Sequence, residues 1–275
     1  MTRPISLAAL TILELTPPDM VSCAADAGFS HVGIRLIPAT PTEPQYDLVG
    51  DTPLLREVER RLADTGVQVL DVEIFRLKPE TDVAAYEPAI ACAARLGARG
   101  LLVAANDPDE ARVTDRFAAF CDLAATFGLT ADLEFMPWTA VRDLSAAQEV
   151  VVASGSATAG ILVDALHFDR AGVRPEELAS VAPDRLHYVQ FCDGAKPFDP
   201  SHAELIRIAR SERLFPGMGG IDLVGLARTI PADVTISVEI PNHAWTQRID
   251  AGGRAAMARE ATLAVLRAAT AEEMA

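Results

Sequence analysis

Cysteine is scarce in this sequence of 275 residues. Its four cysteines, at positions 23, 92, 121 and 192, are scattered, and none belongs to a Cys-x-x-Cys pair. A disulfide framework or a zinc knuckle needs clustered cysteines, so we expect neither. Residues 1–6 lack the profile of a signal peptide, and the apolar run at 5–10 is too short to supply one. A reducing, cytoplasmic compartment is therefore the simplest setting.

Basic residues and long apolar runs are scarce as well. The chain has 24 lysines and arginines against 39 acidic residues, a formal net charge of −15 and an isoelectric point near 4.7. Because phosphate groups bind to basic surfaces, this balance argues against nucleic acid and against anionic membranes as partners. No apolar run approaches the ~20 residues of a membrane-spanning helix. We expect a soluble protein that binds a small molecule, and the apolar composition hints at a homo-oligomer.

The sequence is rich in apolar residues, and they are arranged in two alternating patterns. Half of the residues are hydrophobic and only 5% are aromatic. Near-continuous apolar runs alternate with amphipathic helical stretches, which is typical of parallel strands buried on both faces. The predicted strands cover residues 5–10, 31–36, 67–75, 100–105, 130–135, 159–164, 185–192 and 234–240. The predicted helices between them cover residues 17–28, 52–66, 83–97, 108–128, 143–154, 175–181, 201–213 and 222–229.

Eight such units without a boundary between two halves favour a closed barrel over a doubly wound sheet. We therefore predict an α/β fold, a single (β/α)₈ TIM barrel domain over residues 1–275. Residues 252–271 predict an extra C-terminal helix that completes the barrel wall. The irregular stretches 38–50 and 194–200 follow strands two and seven, so they lie at the C-terminal face, where such barrels carry their active sites.

Two carboxylates interrupt the fifth predicted strand. Asp132 and Glu134 are two residues apart and therefore share one face. A carboxylate that faces a strand-lined interior loses its hydration, so it must be neutralised, paired or bound to a metal. We expect Glu134 to be a metal ligand at the mouth of the barrel. The alternative is a half-exposed strand whose Glu134 faces solvent.

Each of the last four predicted strands ends in an oxygen-bearing side chain. The four are Glu134, Asp164, Gln190 and Glu239. Consecutive strands of a barrel would bring them together at its axis, where three carboxylates repel one another and a divalent cation is the simplest counter-charge. Oxygen ligands suit Mg²⁺ or Mn²⁺ best, without excluding Co²⁺ or Zn²⁺.

The segments around these four residues resemble the motifs of a known family. They are Leu-Glu-Phe-Met-Pro-Trp at 133–138, Asp-Ala-Leu-His at 164–167, Val-Gln-Phe-Cys-Asp at 189–193 and Ser-Val-Glu-Ile at 237–240. They resemble the xylose-isomerase-like TIM-barrel superfamily, which includes sugar phosphate isomerases and epimerases, inosose dehydratases and 3-dehydroshikimate dehydratases. The resemblance implies that Glu134, Asp164, Gln190 and Glu239 bind one divalent metal. It also implies that Glu134 and Glu239 act as catalytic acid and base.

One position departs from the epimerase pattern. Sugar epimerases usually have histidine where Gln190 stands, whereas bacterial dehydroshikimate dehydratases resemble this chain in using glutamine. The segment Arg-Leu-Phe-Pro-Gly-Met-Gly at 213–219 is also similar to those dehydratases. These two features keep a dehydratase open beside an epimerase.

Five further residues are candidates for catalysis or substrate contact. His167 could donate a proton or bind substrate, and the alternative is a solvated loop histidine. Lys196, one of two lysines in the chain, and Arg213 could bind substrate oxygens or anions, and solvated charges are their alternatives. Trp138 could form a wall of the pocket or simply pack. Glu73 could line the mouth, and a structural ion pair with Arg35 is the default.

The residues therefore predict a metal-dependent enzyme of carbohydrate metabolism. Its first candidate function is α-proton transfer on a small polyhydroxylated ketone or aldehyde, as in a sugar isomerase or epimerase, because a bound divalent ion acidifies the C–H next to a carbonyl. A hydro-lyase of the 3-dehydroshikimate or inosose type, acting on a cyclic polyol ketone, is the alternative. A phosphodiester-cleaving endonuclease and a non-catalytic sugar binder are weaker alternatives, since the chain is acidic and the carboxylates are intact.

Overall fold

Eight parallel strands close into a barrel in the order in which they occur in the chain. The computed structural model describes residues 3–271. The strands are β1 (Ile5–Leu7), β2 (His31–Arg35), β3 (Gln68–Leu77), β4 (Gly100–Ala105), β5 (Thr130–Glu134), β6 (Ala159–Asp164), β7 (Tyr188–Phe191) and β8 (Thr235–Val238). The barrel closes where β1 pairs with both β2 and β8. The predicted (β/α)₈ barrel is confirmed.

Helices follow the strands and form the outer layer. They are α1 (Pro17–Asp26), α2 (Pro53–Thr65), α3 (Glu87–Arg95), α4 (Glu110–Thr126), α5 (Leu144–Ser154), α6 (Ala165–Arg170), α7 (His202–Ser211), α8 (Leu223–Thr229), α9 (His243–Thr246) and α10 (Ala251–Ala271). Short 3₁₀ segments cover Ala9–Ile12, Val83–Tyr86, Pro175–Ser180 and Pro183–Arg185. None of the helices within residues 3–271 combines the length and the apolar character needed to cross a membrane.

Local sequence signals explain where a typical helix begins and ends. In α2 the Thr52 hydroxyl accepts a hydrogen bond from the Leu55 N–H at 3.0 Å, and Pro53 occupies the first turn. Both features favour a helix start at this point. The helix ends at Gly66, whose φ of 74° lies in the left-handed region that glycine adopts without strain.

The structure corrects two predicted boundaries. Strand β1 ends at Leu7 instead of residue 10, because residues 9–12 turn into a 3₁₀ segment. The helix predicted at 175–181 is only a 3₁₀ segment, and the α-helix of that unit is α6, directly after β6. Asp164 ends the strand and also caps α6 by accepting a hydrogen bond from the His167 N–H at 3.0 Å. No loop therefore separates strand from helix, which is why the sequence pattern did not reveal α6.

The two faces of the strands have different characters. Outward residues such as Leu133, Val163 and Val189 belong to the apolar core shared with the helices. Inside the barrel, a smaller apolar cluster that includes Leu102 and Tyr188 fills the middle. Fully burying one such aliphatic side chain stabilises the fold by about 1.5–3 kcal/mol. The inward positions at the carboxyl ends of β5 to β8 remain polar, and they form the floor of the site described below.

The predicted C-terminal helix is confirmed as α10, and it is anchored by a buried arginine. Arg254 donates to the Ile249 carbonyl at 2.7 Å and to the Thr11 carbonyl at 3.4 Å, and it forms an ion pair with Glu14. The helix therefore closes the wall against the segment that follows β1, as the sequence predicted.

Asp132 lies inside the barrel, two residues before Glu134, and has its own partners. His187 Nδ1 lies 2.6 Å from Asp132 Oδ1, and the Thr130 hydroxyl donates to Oδ2 at 2.9 Å. A Cβ at Gly160 would collide with both Asp132 and His187, so the absence of a side chain there makes room for the pair. Burial lowers the pKa of His187, but the hydrogen bond and the charge of Asp132 outweigh it and leave the pKa raised. The pair neutralises Asp132 without a metal.

This pair predicts a pH-dependent contribution to stability. The folded-state pKa of His187 is raised above its usual 6.5. The pair therefore stabilises the fold fully below pH 6.5, and this contribution is lost as the pH rises through the folded-state pKa. We expect His187→Gln to lower the free energy of unfolding by about 1–2 kcal/mol at pH 5.5 and by less at pH 9. Urea unfolding across this range measures the difference. The control is His202→Gln, at an exposed position of α7. A loss of unfolding free energy in His187→Gln that increased with pH would contradict the assignment of the pair.

Candidate active site at the carboxyl ends of the strands

A cavity of about 500 Å³ opens at the carboxyl ends of the strands. Its lining includes six of the residues that the sequence singled out: Glu73, Glu134, Trp138, His167, Arg213 and Glu239. Strand ends meet at this face of a barrel, so the location agrees with the prediction.

The four predicted metal ligands converge at the floor of this cavity. Glu134 and Asp164 are the last residues of β5 and β6, Gln190 lies in β7, and Glu239 directly follows β8. All four are buried, and Asp164 and Gln190 are fully inaccessible. Asp164 and Gln190 are also direct partners in the β6–β7 register. The alternative of a solvent-facing Glu134 is wrong, because this side chain is 4% exposed.

Arg213 lies between two of these carboxylates. One guanidinium nitrogen pairs with Asp164 Oδ2, and the other lies 2.9 Å from Glu239 Oε2. The Gln190 side-chain amide donates to Glu239 Oε1 at 3.3 Å. Arg213 is 2% exposed, so it is not the solvated helix-end arginine that the sequence left open. It supplies a buried positive charge to the carboxylate cluster.

His167 is buried beside Glu134 and Trp138. Its Nε2 lies 3.6 Å from Glu134 Oε1, and its ring stands perpendicular to Trp138 with centroids 4.9 Å apart. Burial lowers the pKa of His167 to about 4, so the ring is neutral near pH 7. The alternative of a solvated loop histidine is therefore wrong. A neutral imidazole at the cavity wall can donate or accept one hydrogen bond.

Burial and mutual repulsion separate the pKa values of the three carboxyl groups. Burial, followed by the charges of Asp164 and Glu239, raises the pKa of Glu134 well above its usual value. Burial also raises the pKa of Glu239 to about 7, although Arg213 opposes this shift. Burial pushes the pKa of Asp164 upward, but the charge of Arg213 beside it outweighs burial and leaves the pKa lowered. Asp164 is therefore the most acidic of the three groups, and Glu239 has a pKa near neutral pH, which is typical of a group that transfers protons.

The donor atoms fit a divalent cation. One oxygen from each of Glu134 and Asp164 and one ring nitrogen of His167 lie within 4.8 Å of one another. The side-chain carbonyl of Gln190, Oε1, is buried and has no hydrogen-bond partner among the described residues. A buried carbonyl oxygen without a partner is costly, and a cation would satisfy it. The predicted set and this geometric group share Glu134 and Asp164, and His167 is the one member that the sequence did not assign to the metal.

Trp138 and Glu73 both line the cavity, but Glu73 already has an ionic partner. Its Oε2 lies 3.0 Å from an Arg35 nitrogen, which is the pairing expected by default, while its Oε1 is buried without a hydrogen-bond partner. Lys196 lies elsewhere. It does not belong to the cavity lining, and its ammonium lies 2.5 Å from Asp169 Oδ1. The ion pair with Asp169 thus accounts for Lys196, and we do not include Lys196 among the substrate contacts.

Sequence reasoning did not identify Asp193 as the residue that shapes this side of the site. The Asp193 carboxylate accepts backbone N–H bonds from Gly194, Gly217, Gly219 and Ile221 at 2.8–3.0 Å. The glycine-rich loop after Arg213 therefore directs its N–H groups at Asp193 and not at a ligand. Asp193 is visible in the strand-seven motif, but three of its four hydrogen-bond partners lie more than twenty residues away in the chain.

A family model places this architecture among known proteins. The model described as "xylose isomerase-like TIM barrel" matches residues 21–268. The chain belongs to this family. The superfamily resemblance drawn from residues 133–240 is thereby confirmed.

Individual proteins are similar to this chain at 25% sequence identity or less. The chain is 25% identical over 238 residues to the 3-dehydroshikimate dehydratase of Pseudomonas aeruginosa, covering 82% of this chain and 35% of that protein. The chain thus spans about a third of the length of this relative. A solved structure of the IolI protein with a bound zinc atom matches at a TM-score of 0.80 and 17% identity, covering 96% and 98% of the two chains. An L-ribulose 3-epimerase structure matches at a TM-score of 0.72 and 17% identity, covering 100% and 97%. Both structures share the fold.

The donor set predicts stoichiometric binding of one divalent ion. Removing a ligand oxygen with Gln190→Leu, or the negative charge of a ligand with Asp164→Asn, should weaken Mn²⁺ binding by at least about tenfold, since even groups that only orient ligands contribute that much. Calorimetric titration of the chelator-treated protein with Mn²⁺ measures the affinity. The control is Glu80→Gln, an exposed carboxylate outside the cavity. Unchanged affinity in both correctly folded variants would remove these residues from the site.

Proposed function

We propose that this chain is a divalent-metal-dependent enzyme that moves a proton at the carbon next to a carbonyl of a small polyhydroxylated ketone or aldehyde. The observation that carries the proposal is the convergence of three buried carboxylates with the unpartnered Gln190 carbonyl at the floor of one cavity. A divalent ion held by these residues would polarise the substrate carbonyl and acidify the neighbouring C–H.

Glu134 is suited to remove that proton. No side chain or backbone group among the described residues makes a hydrogen bond to its carboxylate, which lines the cavity directly. A carboxylate in this position, facing the substrate space, is the type of group that acts as a general base. A base must reach its proton within about 2.6–3.2 Å, and the free carboxylate oxygens are available for such an approach.

Glu239 is suited to return a proton from the other side. It follows β8, three strands beyond Glu134, so the two glutamates flank the cavity floor. Arg213 and Gln190 hold its two oxygens. Proton removal by one glutamate and delivery by the other inverts the carbon, which is epimerisation. Delivery to the neighbouring carbon is isomerisation. This is the first candidate function.

Dehydration is the second candidate, and Gln190 favours it. Glutamine at this position resembles the dehydroshikimate dehydratases, and a curated relative carries that name. In this reaction Glu134 takes the α-proton, the electron pair of the broken C–H bond forms the new double bond, and the β-hydroxyl leaves. His167 can hydrogen-bond the departing hydroxyl, and the proton that Glu134 has taken is returned to it to give water. The same carboxylates therefore serve either reaction, and the leaving group of the substrate decides between them.

Product analysis in D₂O separates the two reactions. We expect turnover of one member of a panel of keto-sugars, inososes and 3-dehydroshikimate in the presence of Mn²⁺. Deuterium at the carbon next to the carbonyl, with all oxygens retained, identifies an isomerase or epimerase by NMR. A new alkene with loss of water identifies a dehydratase. No proton exchange in any ketone of the panel, with metal bound, would argue against the proposal.

Substitution of the proposed base tests its role. Glu134→Gln keeps a potential ligand oxygen but cannot accept a proton, so kcat should fall by about 10²–10⁴-fold at saturating Mn²⁺. Steady-state kinetics with metal content measured in parallel separates loss of the base from loss of the ion. Glu80→Gln, outside the cavity, should leave kcat unchanged. A Glu134→Gln enzyme with full metal and near-normal kcat would exclude Glu134 as the base.

A further inference from the structure

Four arginines line the cavity, and in the described part of the chain two of them have no carboxylate at ion-pair distance. Its lining includes the arginines Arg35, Arg76, Arg210 and Arg213. Arg213 pairs with Asp164 and Glu239, and Arg35 lies 3.0 Å from Glu73 and 3.8 Å from Glu43. These two arginines are occupied by the protein itself. Arg76 and Arg210 are the ones that remain.

Arg76 near the end of β3 has only a neutral partner. Its NH1 donates to the Asn106 side-chain carbonyl at 2.8 Å, and within residues 3–271 no carboxylate lies within ion-pair distance of it. Its Nε is buried and has no hydrogen-bond partner. Burial lowers the pKa of Arg76, the charge of Glu134 opposes this shift, and the charges of Arg210 and Arg35 add to it. A half-buried guanidinium whose hydrogen-bond partner is neutral is suited to donate hydrogen bonds to an anion.

Arg210 faces the cavity from α7 without a partner. In the described part of the chain its side chain forms no hydrogen bond or ion pair. Arg207, three residues earlier on the same helix, is by contrast paired with Glu204 at 2.8 Å. On this helix Arg207 therefore pairs with a surface carboxylate, whereas Arg210 lines the cavity. Because β3 and β7 are opposite one another in an eight-stranded barrel, Arg76 and Arg210 approach the cavity from different sides.

The strand register gives the separation between the backbones of Arg76 and Glu134. Arg76 pairs with Ala104 across β3 and β4, and Ala104 pairs with Glu134 across β4 and β5. The backbones of Arg76 and Glu134 are thus two strand spacings apart, or about 10 Å. This separation suits a substrate of five to seven carbons that reacts at one end and carries a charged group at the other.

We propose that Arg76 and Arg210 form a subsite for an anionic group, a carboxylate or a phosphate, and that the substrate of this enzyme is therefore an anion. The subsite adds a substrate class to the proposed function. The claim that the bound anion is the substrate rests on that function, whereas anion binding itself does not. The charges support it. The four lining glutamates and four arginines balance formally, so a divalent ion at the floor leaves a cavity that favours a negatively charged ligand.

Anion binding can be measured without turnover. The probes are cyclohexanecarboxylate and cyclohexyl phosphate, with uncharged cyclohexanecarboxamide as the reference, titrated calorimetrically into the metal-loaded protein. We expect at least one anion to bind more than tenfold more tightly than the amide, and its affinity to fall with rising ionic strength. The preferred probe distinguishes a carboxylate from a phosphate substrate.

Arginine variants show whether this subsite holds the anion. Arg210→Gln and Arg76→Gln should each weaken binding of the preferred probe by about tenfold, the usual magnitude for one charged hydrogen bond. Arg210 is exposed, so its variant is expected to fold even if Arg76→Gln does not. The control, Arg248→Gln, removes one exposed charge outside the cavity. Equal binding of the amide and the anions, or anion binding that is the same in Arg210→Gln and Arg248→Gln, would overturn the subsite.

The outcomes for binding and for the reaction are separable. Anion binding that depends on Arg76 and Arg210 but without proton exchange in any ketone supports the subsite and argues against the proposed chemistry. Turnover of a neutral keto-sugar without anion binding supports the chemistry and overturns the subsite.

Discussion

Compensation of buried negative charge is the constraint on which the site depends. Glu134, Asp164 and Glu239 are each at most 4% exposed and lie at neighbouring strand ends. Three carboxylates withdrawn from water repel one another, and each loses hydration worth several kcal/mol. Arg213 offsets part of this cost by pairing with Asp164 and Glu239. Glu134 has no arginine at ion-pair distance among the described residues, so the cluster remains short of positive charge at Glu134, and the Gln190 carbonyl is also left without a partner.

The fold positions Arg213 through its backbone. The Arg213 N–H donates to the Pro241 carbonyl at 3.2 Å, and its own carbonyl accepts from the Asn242 side chain at 2.9 Å. Next to it, Asp193 and Leu214 exchange backbone hydrogen bonds, and the Asp193 carboxylate fixes the loop that follows. The segments after β7 and β8 are therefore joined at the arginine. A charged side chain held this firmly loses little further conformational entropy when it orders the carboxylates.

The sequence predicted those features that local pattern determines. Strands such as β5 and β6 are short apolar runs closed by a carboxylate, and eight of them in alternation with helices are enough to define the barrel. The barrel then implies convergence of Glu134 and Glu239 without any knowledge of their distance. Contacts between distant segments were not predictable in this way. In the sequence both Lys196, in a loop, and Arg213, at a helix end, could be solvated charges, yet Lys196 pairs with Asp169 outside the cavity lining while Arg213 is buried among carboxylates.

The proposed chemistry and the proposed substrate selection use different parts of the fold. Carboxylates at the ends of β5, β6 and β8, with Gln190 of β7, form the floor, and their geometry follows from strand register. Arg76 and Arg210 reach the cavity from β3 and α7, which contribute nothing to the floor. Arg210 makes no hydrogen bond or ion pair in the described part of the chain, whereas the charge of Arg76 lowers the pKa of Glu134, so a change at Arg210 is the one that leaves the carboxylates undisturbed. The proposed chemistry therefore depends on strand ends that the barrel itself positions, and the proposed anion subsite depends on side chains that the barrel does not require.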